Sequence, residues 1–174
     1  NGVIVVNNGT LLAEGEAGNR VRQAAKGHGV GLFGFAVLNN GTIDSSNAAG
    51  YYNDDEGDGF SGNGAVVLAG HFAVVNRGFI DVSGDDGIPE SFVDGGDGGY
   101  AGLTLEAQSI TAFESDNEEL SNFALELIAA YDETASPFIL NSGSVNANGG
   151  VGVEYGNGGD AGTIGFISSN RYAG

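Results

Sequence analysis

Val75-Asn76-Arg77-Gly78-Phe79-Ile80 is one of four versions of a single phrase in this chain. The others are Val6-Asn7-Asn8-Gly9-Thr10-Leu11, Leu38-Asn39-Asn40-Gly41-Thr42-Ile43 and Leu140-Asn141-Ser142-Gly143-Ser144-Val145. Each reads aliphatic, Asn, any residue, Gly, any residue, aliphatic. A turn that returns at a coil-sized interval is the mark of a solenoid. A unit made of strand, glycine turn and strand cannot bury its apolar face alone, so successive units must stack on one another.

The aliphatic residue after each turn gives Leu11, Ile43, Ile80 and Val145. A degenerate member, Ile110 in Ser109-Ile110-Thr111-Ala112-Phe113, makes the successive spacings 32, 37, 30 and 35 residues. A short aliphatic strand leads toward each turn: 30–35, 64–69, 102–107, 124–129 and 162–167, usually with glycine just before it. Between these strands lie segments of variable length, roughly 14–29, 45–63, 83–101, 114–122 and 147–161, rich in Gly and Asp. Insertions confined to one corner leave the ladder elsewhere undisturbed, so the long loops are expected to project from one side. The reading is an all-β parallel β-helix of about five coils, a single domain over 1–174.

One stretch reads two ways. Ser115-Asp116-Asn117-Glu118-Glu119-Leu120 has the form of a capping box, and Leu120, Phe123, Ala124, Leu127, Ile128 and Tyr131 recur at helical spacing. Against a helix over 116–131, Phe123, Leu125 and Leu127 alternate in step with the other lead-in strands, and a strand over 123–129 is preferred.

Stacking explains the residue types. In a parallel ladder equivalent side chains form columns about 4.8 Å apart, and inward columns must be apolar. The expected inward residues are Ile4, Val6, Leu11, Leu38, Ile43, Val66, Leu68, Val75, Ile80, Leu103, Leu105, Leu140, Val145 and Ile164. Asn7, Asn39, Asn76 and Asn141 are expected to form an amide ladder in which each side chain bonds the next. Gly9, Gly41, Gly78 and Gly143 would either take positive φ or let neighbouring turns approach closely.

Composition narrows the function classes. With 41% hydrophobic residues there is material for a core, and with 33 glycines against 2 prolines the glycine punctuates strands rather than forming a collagen or a linker. Cys, Met and Trp are absent, which removes disulfides and thiolate chemistry. No apolar run is long enough to span a membrane, and no leader pattern precedes the first strand. Twenty-three acidic against five basic residues give a formal charge of −18, a surface that repels nucleic-acid phosphates and favours solubility. Six Asn-Gly pairs fit a mesophilic or saline setting better than a very hot one.

Gly64-Ala65-Val66-Val67-Leu68-Ala69-Gly70 followed by Val75-Asn76-Arg77-Gly78-Phe79-Ile80-Asp81-Val82-Ser83-Gly84 resembles the repeats of filamentous-haemagglutinin-type exoproteins, the large adhesins of two-partner secretion. The resemblance implies a right-handed parallel β-helix on or outside the cell surface, in a long fibrous adhesive or matrix protein, and it carries no catalytic residues. Its repeat grammar is shared with other bacterial and archaeal β-helices.

Asp54-Asp55-Glu56-Gly57-Asp58-Gly59 has oxygen ligands at alternate positions, like the opening of a calcium loop, but Ala65 stands where the closing Glu belongs. Asp54, Glu56, Asp58, Asp94 and Asp97 are the weak calcium candidates, with a solvated acidic loop as the plainer reading; no other cofactor is expected. His28 and His71 share no motif. Asp44 and Asp81 occupy equivalent outward positions, the arrangement expected of the paired acids of a β-helix polysaccharide lyase or hydrolase, but no base and clamp assemble around them. Asn8 and Asn40 begin glycosylation sequons at equivalent turns.

Both termini read as cut in mid-pattern, which leaves uncapped coil edges open to pairing. Arg20, Arg22 and Lys26 in the first loop and Arg171 at the far end are the expected assembly residues, meeting acidic loops of a neighbour. The expected function is a non-enzymatic, secreted or surface structural protein that stacks head to tail with itself, as a filament or fibrous adhesin in adhesion or matrix, with host or matrix glycans as further partners. The alternative is a carbohydrate-active β-helix enzyme or glycan-binding module, for which Tyr51, Tyr52, Tyr100 and Tyr155 are the aromatics to inspect.

Overall fold

A computed structural model of the chain describes residues 2–14, 28–46, 64–84, 86, 97–107, 137–152 and 158–170. Ten strands run through them: β1 (Gly2–Asn7), β2 (Thr10–Leu12), β3 (Val30–Asn39), β4 (Thr42–Asp44), β5 (Ala65–Asn76), β6 (Phe79–Asp81), β7 (Tyr100–Ala107), β8 (Phe138–Asn141), β9 (Ser144–Asn146) and β10 (Thr163–Asn170). No helix occurs among the described residues. The fold is all-β, and every strand pairing is parallel.

The strands form two sheets. The larger runs β1-β3-β5-β7-β10, with β8 also paired to β5, and the smaller runs β2-β4-β6-β9. An Asn-x-Gly turn carries the chain from the first sheet to the second in each of four rungs: β1 to β2, β3 to β4, β5 to β6 and β8 to β9. The turns stack without slippage, Asn7 opposite Asn39, Asn39 opposite Asn76 and Asn76 opposite Asn141. β10 begins a fifth rung of the larger sheet.

Two expectations from the sequence fail on this register. Ile80 pairs directly with Val145, so Ile110, which lies outside the described residues, does not stand between them in the column Leu11, Ile43, Ile80, Val145. Likewise β10 pairs directly with β7, Thr163 opposite Tyr100, so no lead-in strand from 123–129 intervenes. The reason lies in β5. Its first half pairs with β7 and its second half with β8, so these two short strands do together what β5 does as one, and 108–136 are inserted between them. The other long insertions leave after the smaller sheet and return before the larger one, whereas this one opens a strand. The helix-or-strand question at 116–131 lies outside the described residues.

The core also differs from the simple alternation expected. Val37, Ile43, Val66, Leu68, Val74, Ile80, Val82, Ala101, Leu103 and Leu105 fill the space between the sheets, with Val5, Leu11, Ile139 and Val145 packed against them. Leu38 and Val75 instead join a second buried cluster with Phe35, Ala36, Phe72 and Ala73, against which Ile4 and Phe138 pack. Adjacent residues of a strand point to opposite faces, so with Val37 and Val74 turned inward, Leu38 and Val75 must face away from the smaller sheet. A bulge sets this phase: the register shifts between Gly34 and Ala36, where Phe35 on β3 answers to His71 and Phe72 on β5. Ile4, Val6, Leu38, Val75 and Leu140, expected inward, therefore face outward: on β5 plain alternation from Val66 and Leu68 to Val74 already leaves Val75 outward, whereas on β3, one residue shorter through the bulge, alternation from Leu32 would have put Leu38 inward.

Candidate functional site

The most constructed feature of the molecule is its turn column. Asn7 Nδ2 donates to Asn39 Oδ1, Asn39 Nδ2 to Asn76 Oδ1 and Asn76 Nδ2 to Asn141 Oδ1, each at 2.8 Å. Asn39 and Asn76 are fully buried. A primary amide suits this place because it carries donor and acceptor on one planar group, so every rung satisfies the rung behind it and is satisfied by the one ahead. Beside the ladder the backbone repeats a second pattern: Asn40 and Gly41 N–H donate to the Asn7 carbonyl, Arg77 and Gly78 to that of Asn39, and Ser142 and Gly143 to that of Asn76.

The turn glycines are required by proximity. A Cβ on Gly41 would lie 2.0 Å from the Gly9 carbonyl oxygen, one on Gly78 1.9 Å from that of Gly41, and one on Gly143 2.1 Å from that of Gly78. None of these glycines adopts the left-handed backbone region, so of the two reasons the sequence offered, close approach is the operative one. Gly9, in the first rung, has nothing within 4 Å of its Cβ position. A second glycine column forms where the chain enters the larger sheet: a Cβ on Gly99 would meet the Gly64 carbonyl oxygen at 2.0 Å, and one on Gly162 that of Gly99 at the same distance.

The stack's two faces are stepped. Among the described residues, β1 pairs with β3 only from Gly34 to Asn39 on one face, and on the other β10 pairs with β7 alone. Apolar exposure follows the same outline. Middle-rung residues Val66, Leu68, Ala101 and Leu103 are fully buried, but Ile164 and Phe166, one rung further on in the same columns, are 43% and 54% exposed.

Asp44 and Asp81, the paired acids, are occupied as corner closures. Asp44 Oδ1 accepts from Ser46 N–H at 3.0 Å; Asp81 Oδ1 accepts from Ser83 N–H at 2.9 Å and from Ser83 Oγ at 2.5 Å. Asn146 repeats the device, its Oδ1 accepting from Asn148 N–H, and its amide reaches back to Asp81 at 3.3 Å. These Asx turns bend the chain out of the smaller sheet at equivalent places.

Asp97 Oδ1 accepts from Asp160 N–H at 2.8 Å, tying two neighbouring segments. The other calcium candidates, Asp54, Glu56, Asp58 and Asp94, lie outside the described residues, as do the assembly candidates Arg20, Arg22, Lys26 and Arg171. Among the described residues no group of three or more His, Asp or Glu could hold a metal ion, and no helix is long and apolar enough to cross a membrane. His71 Nδ1 approaches Glu106 Oε2 at 3.9 Å with both side chains well exposed, a contact worth little in water.

Tyr51, Tyr52 and Tyr155 lie outside the described residues, but Tyr100 lies across Gly102, where its ring occupies the space a Cβ would need. Sequence reasoning missed its counterpart, Phe33, whose half-exposed ring lies across Gly31 in the same way. It also missed the second cluster, in which the Phe35 and Phe72 rings stack at 5.5 Å and Phe138 meets Phe72 edge-on at 6.5 Å. Its signal was present, because Phe35-Ala36-Val37-Leu38-Asn39 and Phe72-Ala73-Val74-Val75-Asn76 extend the repeated phrase backward by three residues. No family model matches this chain, and no curated protein or solved structure is similar to it.

Proposed function

We propose that this chain is a right-handed parallel β-helix serving as a non-enzymatic structural protein outside the cell, stacking end to end into a surface filament or fibrous adhesin. Handedness follows from the rule that parallel crossovers within one sheet are almost always right-handed. The observation that carries the reading is the amide ladder. It has one direction throughout and its middle members are fully buried, while at its first member Asn7 Oδ1 accepts from the Gly9 N–H of its own turn at 3.1 Å. An interface whose two sides differ and whose operator does not close generates an open filament. The acidic surface supports the same reading by discouraging sideways association of stacks.

Electron microscopy of the purified chain tests it. Long unbranched fibres that lengthen with protein concentration are the expected result, and monodisperse particles at every concentration would refute the filament.

A second reading, a glycan-binding face, is favoured by Phe33 and Tyr100. Their rings lie over glycines of one outward column, Gly31 and Gly102, two rungs apart. The half-exposed Phe33 ring and the partly buried Tyr100 ring, each lying across a strand glycine, suit the apolar face of a sugar. Retention on immobilised polysaccharide that is lost in Phe33→Ala and Tyr100→Ala would establish it.

A further inference from the structure

We propose that the outward face of the larger sheet binds an uncharged, ribbon-like β-1,4-linked polysaccharide that runs along the stack axis, with one sugar on Phe33, the next over Val67 and the third on Tyr100. This rests on the glycan-binding reading above and names the class of glycan.

The strand pairings lay out the track. Val66, Leu68, Ala101 and Leu103 point into the core, so their neighbours in sequence point outward. Gly31, Val67, Gly102 and Gly165 therefore form one outward column, and Phe33, Ala69, Thr104 and Ile167 form the next. The two rings enter the glycine column from opposite sides. Phe33 reaches back across Gly31, with Cζ 2.9 Å from the Cβ position there; Tyr100 reaches forward across Gly102, its Oη 2.6 Å from that glycine's Cβ position and 3.2 Å from that of Gly165. A side chain at Gly31 or Gly102 would deny each ring its place, so the glycines fix the ring orientation.

Rings on β3 and β7 stand two rungs apart, about 10 Å, with Val67 of β5 between them. In a β-1,4-linked hexose chain the ring substituents are equatorial, so hydroxyl groups line the edges of the ribbon and axial C–H bonds cover its faces. Each unit is turned over relative to the one before and advances by close to one rung, about 4.8 Å. The first and third units then offer the same C–H face to Phe33 and Tyr100, whose ring faces carry the negative side of the quadrupole. An α-1,4-linked chain curls and cannot lay two such units on rings of one straight column.

Charge selects among the ribbons. Phe33, Val67, Ala69, Tyr100 and Thr104 are all uncharged, and Glu106 is the one carboxylate on β7. The chain as a whole carries −18, so a uronic-acid polymer is repelled and an uncharged one is not.

Calorimetric titration of the full chain with soluble β-1,4-linked glucose oligomers tests the track. Only a trimer or longer spans both rings, so affinity should rise about tenfold or more from dimer to trimer. Phe33→Ala should erase that step with little change in melting temperature, because the ring is 49% exposed. Gly31→Ala keeps Phe33 but puts a methyl where its ring lies, and it should erase the step too; apolar contact without fixed geometry would leave the step intact.

Binding of starch or polygalacturonate that depends on Phe33 and Tyr100, with none to β-1,4-linked glucose oligomers, would overturn this assignment and leave the glycan-binding face standing. Trimer binding no tighter than dimer binding would likewise overturn the two-ring track alone. A chain that binds none of these glycans, or binds them equally well in Phe33→Ala and Tyr100→Ala, overturns both.

Discussion

Asn39 donates its side-chain amide to Asn76 across 2.8 Å, and neither residue is exposed to solvent. That bond is the middle of a three-bond ladder, so Asn39 is held from both sides. Its replacement strands Asn76 Oδ1 and leaves Asn7 Nδ2 only its longer bond to the Thr42 carbonyl at 3.2 Å. Leaving a buried polar group unsatisfied costs about 1–3 kcal/mol, so Asn39→Ala should lower unfolding stability by about 2–4 kcal/mol. Asn141→Ala, at the exposed end of the ladder, should cost under about 1 kcal/mol. Urea denaturation of the two variants checks the contrast; equal losses would mean that the amides do not act as a ladder.

Asn39→Asp separates geometry from chemistry. A carboxylate fills the same space and accepts from Asn7, but it has nothing to give Asn76 and brings a charge into a fully buried position. It should be more destabilising than Asn39→Ala, because an unpaired buried charge exceeds the cost of an unpaired amide. An aspartate variant as stable as wild type would show that donation to Asn76 is immaterial.

The glycine column makes a positional prediction. Gly78→Ala places a methyl 1.9 Å from the Gly41 carbonyl oxygen, backbone against backbone, with no side chain to yield. A loss of about 1–3 kcal/mol or more is expected. Alanine at Gly29, where the nearest contact is 3.6 Å, should be tolerated. Thermal melts of both report whether close approach governs these sites.

Phe72 anchors the cluster on the outward side of the larger sheet. It is fully buried between Phe35 and Phe138. Phe72→Ala should cost about 3–5 kcal/mol, and Phe33→Ala, removing a half-exposed ring, much less. Similar losses at the two positions would mean that the second cluster is not a core.

Much of this was legible in the chain because a stack turns sequence repetition into spatial adjacency. Asn7, Asn39, Asn76 and Asn141 could be found by eye, and so could Leu11, Ile43, Ile80 and Val145, since parallel pairing puts equivalent residues side by side. Two things were not legible. The two strands that meet at the bulge differ by one residue, so the outward placement of Leu38 depends on Phe35 standing opposite His71-Phe72, which periodicity along β3 alone does not reveal. An insertion within a strand looks like an additional repeat, which is how Ile110 came to be aligned with Ile80. The roles of Asp44 and Asp81 were hidden for another reason: an Asx corner and a catalytic pair of acids use the same residue at the same repeat position, and only hydrogen-bond geometry separates them.

Fibre diffraction from oriented assemblies addresses the stacked-rung account most directly. Rungs perpendicular to the long axis predict a meridional reflection at about 4.8 Å. The same spacing of about 4.8 Å on the equator instead would contradict the stacked-rung account.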